Sequence, residues 1–126
     1  MGTRIKFLVQ DIEIEAELAT TPTAQAIAQA LPLEARVNTW GEEIYFPIPV
    51  AAELDDTAQE LVRAGDLGYW PTGQALCLFF GPTPISGPGE IRPASAVNLV
   101  GRLLPPFHRL REVTDGLIIK VVKSTS

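Results

Sequence analysis

Proline and glycine interrupt this sequence so often that only short structural elements fit between them. The 126 residues include 11 prolines and 10 glycines, which are scattered along the whole chain. Apolar runs such as Leu76 to Phe80 and Leu117 to Val122 lie between these residues, and disordered chains lack such runs. Many turns between short apolar segments are typical of a mainly β domain.

The length and the charge of the chain exclude several classes of protein. We treat residues 1–126 as a single domain, because this length suits one hydrophobic core. The net charge is −5, whereas nucleic-acid binding normally needs a basic surface, so we expect no nucleic-acid partner. The sequence contains neither a signal peptide nor an apolar run near the ~20 residues of a membrane span. We therefore expect a cytoplasmic protein that does not bind membranes.

The N-terminal region contains the clearest strand pattern. Between Ile12 and Leu18, four apolar residues alternate with three glutamates, and this period of two predicts one buried face and one solvated face. The glutamates would lie ~7 Å apart along one face with no His or Asp among them, which indicates a solvated surface rather than a metal cluster. Ile5, Phe7 and Val9 alternate in the same way and predict a preceding strand.

Helical signals are fewer. Thr21 can cap a helix and Pro22 suits the first helical position. Apolar residues then recur at helical spacing, which predicts one amphipathic helix over residues 22–31. A weaker helical pattern covers Asp55 to Val62, and a short helical turn is predicted near residues 106–112.

The rest of the chain predicts further strands and one long loop. The segment Ala75 to Phe80 is apolar on both faces, as expected of a strand that is buried on both sides. Gly81 to Pro93 contains four prolines and three glycines and must be a loop. Other strands are predicted over 34–39, 42–46, 95–104 and 117–123. About eight short strands indicate a sandwich or a barrel.

Metal, disulfide and nucleotide sites are not indicated. The single cysteine, Cys77, lies in an apolar run and is expected to be a buried structural thiol. One histidine and one cysteine without ligand spacing predict no metal site. The glycines between Gly81 and Gly89 do not match a phosphate-binding pattern, so we expect no cofactor.

Several segments resemble the cyclophilin-like family. Gly73 to Pro84 is similar to the cyclophilin core segment, in which paired phenylalanines end a strand before a loop with Thr-Pro. Val97 to Leu103, followed by Leu110 to Val113, resembles a later strand and short helix of that family. Three further segments resemble short prokaryotic cyclophilin-like proteins of unassigned function; they are Val37 to Phe46, Gly65 to Pro71 and Pro93 to Asn98.

This resemblance implies a mainly β fold: a closed cyclophilin-like barrel of about eight strands, with the helix near 22–31 and the turn near 106–112. Cyclophilins isomerise X–Pro bonds with an arginine from a Phe-His-Arg strand in the first third of the chain. Here Phe107-His108-Arg109 comes late instead, and Arg36 is the arginine in the matching region. The resemblance therefore makes Arg36 a candidate catalytic residue and Phe80 a wall of the proline pocket.

Aromatic residues occur in three segments that adjoin in a barrel of this kind. Binding pockets are typically apolar and aromatic with a few polar groups. We therefore predict a pocket for a peptide or a small organic ligand. The residues predicted to bind are Trp40, Tyr45, Tyr69, Trp70, Phe80 and Ser95. The alternative is that most of these rings belong to the core.

Glu42 and Glu43 are adjacent and would point to opposite faces of a strand. If Glu43 faces the interior, burial would raise its pKa and suit it to acid–base catalysis. If both carboxylates flank an exposed turn, neither has such a role.

Three functions stay open at this point: a binding module for a peptide or small molecule, a divergent peptidyl-prolyl isomerase, and an interaction domain. The third is included because similar barrels occur inside allophanate hydrolase proteins. A pocket with an arginine above Phe80 would favour the isomerase. A pocket with an acidic group and no arginine would favour the binding module. The oligomeric state is open.

Overall fold

The computed structural model describes residues 2–124. These residues form one α-helix, α1 (Pro22–Gln29), two 3-10 turns (Pro71–Gly73 and His108–Glu112) and ten β-strands. The strands are β1 Thr3–Val9, β2 Ile12–Leu18, β3 Leu33–Arg36, β4 Asn38–Thr39, β5 Glu43–Pro47, β6 Ala58–Gln59, β7 Asp66–Trp70, β8 Ala75–Phe79, β9 Val97–Leu103 and β10 Ile118–Lys123.

One antiparallel sheet contains all these strands and curves into a nearly closed barrel. Its strand order is β3-β10-β1-β2-β9-β7-β8-β5-β4, with β6 paired to β9 beside this path. The two ends of the order, β3 and β4, are separated in the chain by Val37 alone. A single segment, residues 33–39, therefore pairs with β10 on one side and with β5 on the other. The predicted barrel is confirmed, with ten strands in place of about eight.

The alternating patterns of β1 and β2 form the two faces that the sequence predicts. Phe7 lies opposite Ile14 in the antiparallel pair, and both side chains are buried. Glu13, by contrast, is exposed, and its carboxylate lies 2.7 Å from the ammonium group of Lys6. The glutamates of β2 thus form a solvated face with cross-strand ion pairs.

Helix α1 begins as predicted and ends slightly earlier. The hydroxyl of Thr21 accepts a hydrogen bond from the backbone N–H of Ala24, and Pro22 occupies the first turn. Ala24 and Ile27 are fully buried, so the apolar side of the helix contacts the barrel next to β2 and β9. Within residues 2–124 no helix is long and apolar enough to cross a membrane.

The helix predicted between Asp55 and Val62 is wrong. The carboxylate of Asp55 accepts hydrogen bonds from the backbone N–H and the hydroxyl of Thr57, a local turn that competes with helical hydrogen bonding. The chain then forms β6, which pairs with Val97 and Asn98 of β9. Tertiary pairing and a side-chain turn therefore outweigh a weak helical pattern.

Strand β8 is buried on both faces, as its apolar sequence predicts. Leu76 and Leu78 belong to the main core inside the barrel. Cys77 and Phe79 point to the outer face of the sheet and belong to a second cluster with Val97. Gly68 makes this cluster possible, because a Cβ there would lie 2.8 Å from Val97. The barrel therefore carries a second, outer apolar layer beside β5, β7, β8 and β9.

Candidate functional site

A cavity of about 200 Å³ opens in this outer layer. The strands β5, β7, β8 and β9 form its floor, and two loops form its walls. The lining residues are Trp40, Glu43, Tyr45, Trp70, Cys77, Pro93, Ala94 and Val97. Except for Glu43 and the polar atoms of the tyrosine, tryptophans and cysteine, this lining is apolar.

Strand periodicity brings the floor residues together. Glu43 and Tyr45 are two positions apart on β5, so their side chains point to the same face. The register of β5 with β8 places Tyr45 opposite Cys77, which adds the thiol to that face. Trp70 at the end of β7 and Val97 at the start of β9 complete the floor.

The Trp40–Gly41 turn forms one wall of the cavity. The backbone N–H of Trp40 donates to the carbonyl oxygen of Glu43, which closes the turn between β4 and β5. Gly41 has a positive φ of 62°, and a Cβ at this position would lie 2.8 Å from the carbonyl oxygen of Pro82. Glycine therefore allows the turn and the neighbouring loop to approach each other closely.

The loop after Phe80 forms the second wall. The hydroxyl of Ser86 accepts hydrogen bonds from the backbone N–H groups of Thr83 and Arg92, both at 2.9 Å. The buried hydroxyl of Thr83 donates to the carbonyl oxygen of Arg92. These bonds fix the two ends of the loop and hold Pro93 and Ala94 at the cavity.

Two aromatic rings stand nearly perpendicular to each other in the cavity. The centroids of the Tyr45 and Trp70 rings are 6.1 Å apart, with an angle of 84° between their planes. The indole N–H of Trp70 donates to the hydroxyl of Ser95 at 2.6 Å. Ser95 itself is exposed and lies beside the cavity, so it orients Trp70 rather than lining the site.

Glu43 is the most unusual polar group of the cavity. The residue is only 5% exposed, and its Oε1 has no hydrogen-bond partner among residues 2–124. Burial raises the pKa of this carboxyl group from 4.5 to about 7, and an interaction with the Cys77 thiol opposes the increase. Near neutral pH the group therefore exists in both protonation states, as acceptor and as donor.

The adjacent residues Glu42 and Glu43 have different environments, as the strand geometry predicts. Glu42 is half-buried, and its carboxylate forms an ion pair with Arg111 at 3.0 Å. Glu43 points to the other side of β5, into the outer layer. Of the two interpretations of this pair, the structure supports a buried Glu43, although it faces the outer apolar layer and not the barrel interior. Its role in catalysis stays a prediction.

The structure brings some of the predicted residues together and separates others. Trp40, Glu43, Tyr45 and Trp70 line one cavity. Tyr69 instead lies in the barrel core, where its hydroxyl donates to the carbonyl oxygen of Val50 at 2.7 Å.

Phe80 and Arg36 also lie outside this cavity. Phe80 belongs to the core inside the barrel, because residues of β8 and its extension alternate between the two faces. Arg36 is exposed, and its guanidinium donates to the carbonyl oxygen of Gly116 at 3.0 Å. The structure thus puts Phe79, rather than Phe80, on the face that carries the cavity.

Four lining residues were not among the predicted binding residues: Cys77, Pro93, Ala94 and Val97. A signal existed for Val97, since it begins the segment Val97 to Leu103 that resembles a cyclophilin strand. The side on which Cys77 lies follows from its register with Tyr45. Pro93 and Ala94 depend on loop hydrogen bonds that have no sequence pattern.

No group of three His, Cys, Asp or Glu side chains in residues 2–124 is arranged to hold a metal ion. The cavity itself contains one carboxyl group and one thiol among its lining. The thiol is 1% exposed, and burial raises its pKa well above the ordinary range. Cys77 is therefore a neutral thiol near neutral pH. With one carboxyl group and one neutral thiol, the cavity suits an organic ligand better than a metal ion.

Comparison with known proteins assigns the fold to a family. The sequence profile described as cyclophilin-like matches residues 3–122, almost the whole chain. The protein belongs to the cyclophilin-like family. A hypothetical protein from Archaeoglobus fulgidus, whose solution structure is known, is 42% identical over 98% of this chain and 95% of that chain, with a TM-score of 0.82. No curated protein matches the chain. The cyclophilin-like fold is thus established, and the archaeal protein is described as hypothetical.

Proposed function

We propose that this cyclophilin-like protein is a binding module that holds a small organic ligand, or one side chain of a peptide, in the outer aromatic cavity. The observation that carries the proposal is the buried carboxyl group of Glu43, whose Oε1 lacks a partner in the part of the chain that the structure describes. A buried polar atom without a hydrogen bond costs roughly 1–3 kcal/mol. A ligand that places a hydrogen-bond donor or a positive charge beside the carboxyl group offsets this cost.

The size of the cavity restricts the ligand. Pockets for drug-sized molecules are typically about 300–1,000 Å³. The cavity measures about 200 Å³, so it suits a small molecule or a single side chain rather than a long stretch of peptide. Its apolar walls would bury the body of the ligand, while Glu43 would fix its orientation.

The chemistry of the lining supports binding over isomerisation. Rotation about an X–Pro bond has a barrier of ~18–20 kcal/mol, which a hydrogen-bond donor near the amide can lower. An arginine is suited to that role, yet none contributes to the lining of this cavity in residues 2–124. An acidic group without an arginine is the arrangement that we associate with a binding module.

The experiment is a ligand screen read by tryptophan fluorescence. Both tryptophans of the chain, Trp40 and Trp70, line the cavity, so the intrinsic signal reports on this site alone. Small neutral, anionic and cationic organic probes and short X–Pro peptides are titrated separately. We expect at least one probe class to change the fluorescence saturably.

A blocked cavity provides the control for this screen. Ala94 is exposed at the cavity, so Ala94→Phe should fill the opening without disturbing the barrel and should abolish the signal. Ala51→Phe adds the same ring at an exposed position outside the lining and should leave binding unchanged. Equal binding by both variants, or no binding by any probe, would contradict the proposed function. A parallel assay of cis–trans exchange in the X–Pro peptides, with Arg36→Ala as control, tests the isomerase alternative.

A further inference from the structure

The cavity combines two kinds of group that attract an organic cation. Trp40, Tyr45 and Trp70 contribute three aromatic rings, and Glu43 contributes a carboxyl group. A cation within about 6 Å of a ring centroid is attracted by the negative face of the ring, and the attraction increases when water is excluded. The planes of the Tyr45 and Trp70 rings meet at 84°, so these rings form adjacent walls and are not stacked in parallel.

We propose that this cavity binds a methylated ammonium group, carried either by a small molecule or by a methylated lysine of a peptide. The inference rests on the proposed binding function and names the class of ligand. Three aromatic rings and a buried carboxyl group line the cavity, and aromatic cages with this composition recognise quaternary ammonium ions.

The number of hydrogen-bond acceptors favours a methylated ammonium over other cations. An unmodified ammonium group has three N–H donors and a guanidinium has five, and each donor needs an acceptor when it is buried. The charged acceptor of the lining is the single carboxyl group of Glu43, next to the apolar side chains of Pro93, Ala94 and Val97. Methyl groups need no acceptor and pack well against such walls.

The charge of the surroundings also favours a cation. The chain has a net charge of −5, and no lysine or arginine is part of the cavity lining in residues 2–124. The nearest basic residue in the loop, Arg92, forms an ion pair with Glu90 at 3.2 Å. A cation therefore enters a site where it meets a carboxylate without a competing basic group.

The ionisation of Glu43 should control this binding. Facing Glu43 in the cavity are the titratable side chains of Cys77 on β8 and Tyr45 on β5, together with Trp70 and Val97, which carry no charge. Cys77 keeps its proton near neutral pH, because burial raises its pKa. A bound cation favours the carboxylate form of Glu43, so affinity should increase as the pH rises through about 7.

The deciding experiment compares choline with its uncharged isostere, 3,3-dimethyl-1-butanol, by tryptophan fluorescence at constant ionic strength. We expect choline to bind at least about tenfold more tightly. We also expect its affinity to rise about tenfold between about pH 6 and about pH 8. Glu43→Gln should remove this pH dependence and most of the preference for choline. Glu42→Gln removes the neighbouring carboxylate, which does not line the cavity, and is the matched control.

Two further arms identify the source of the cation. A short peptide with trimethyl-lysine and the same peptide with unmodified lysine are titrated beside choline. Tighter binding of the trimethyl-lysine peptide than of choline assigns the site to a protein ligand, and the reverse assigns it to a small molecule; both support the cage. Equal affinity for choline and its uncharged isostere would overturn the inference, while the proposed binding function would stand. Absence of binding by every methylated ammonium would also overturn it.

Discussion

Asn98 inside the barrel and Glu43 on its outer face are both buried polar side chains, but their hydrogen bonding differs. Asn98 is fully buried; its Oδ1 accepts from the backbone N–H of Asp55 at 2.8 Å, and its Nδ2 donates to the carbonyl oxygen of Glu53 at 2.9 Å. Glu43 is almost as buried, yet its Oε1 has no partner in residues 2–124. Burial with complete hydrogen bonding is typical of structural groups, whereas incomplete hydrogen bonding indicates a group kept for a ligand.

Of the substitutions considered, removal of the Asn98 side chain should lower the free energy of unfolding the most. Asn98→Ala leaves the N–H of Asp55 and the carbonyl of Glu53 without these partners, so the segment before β6 loses its side-chain hydrogen bonds to β9 while the backbone pairing of β6 remains. We expect the free energy of unfolding to fall by about 3 kcal/mol. Urea denaturation measures this loss. A loss below about 1 kcal/mol would mean that water replaces these bonds and that Asn98 contributes little to the stability of the fold.

Glu43, in contrast to Asn98, should make the stability of the protein depend on pH. Its pKa is about 7 in the folded protein and near 4.5 when unfolded, so the folded state binds the extra proton. The stability that this proton provides is present below about pH 4.5 and is lost as the pH rises through about 7. We expect wild type to lose about 2 kcal/mol between about pH 5 and about pH 8 relative to Glu43→Gln. If the free energy of unfolding has the same pH dependence in the two proteins, the pKa of Glu43 is not raised by folding.

Tyr69 allows a smaller test of the barrel interior. Its hydroxyl donates to Val50 and accepts from the N–H of Ala52 at 3.2 Å. Tyr69→Phe keeps the packed ring and removes these bonds, so we expect a loss of about 1 kcal/mol in the free energy of unfolding. Ligand binding should be unchanged, because Tyr69 does not line the cavity. Weakened binding with intact stability would return Tyr69 to the binding residues.

Arg36 should have the smallest effect of all. Its exposed guanidinium has one hydrogen bond within residues 2–124, to the carbonyl oxygen of Gly116. We expect Arg36→Ala to change stability by less than about 0.5 kcal/mol and to leave ligand affinity unaltered. Fluorescence titration and thermal unfolding check both expectations. A clear loss of affinity would show that the arginine reaches the ligand and would revive the isomerase alternative.

Much of the fold was predictable because local patterns specify it. The alternation of apolar and acidic residues in β2 is compatible only with a strand that buries one face, and Thr21 with Pro22 marks the start of α1. The site was harder to predict, because β8 is apolar on both faces and its sequence alone does not show which face is inside. Register with β5 decides this, and it assigns Cys77 to the cavity and Phe80 to the core.

The segment of residues 33–39 that closes the barrel also affects how the protein behaves among its copies. An unpaired strand edge is a template on which another chain can add a strand, and this is a common route to aggregation. Here the long strands β1, β2, β8 and β9 have neighbours on both sides, because the two ends of the sheet share one segment. The fold can therefore keep an apolar cavity open on its outer surface while its backbone offers little to strand-by-strand assembly.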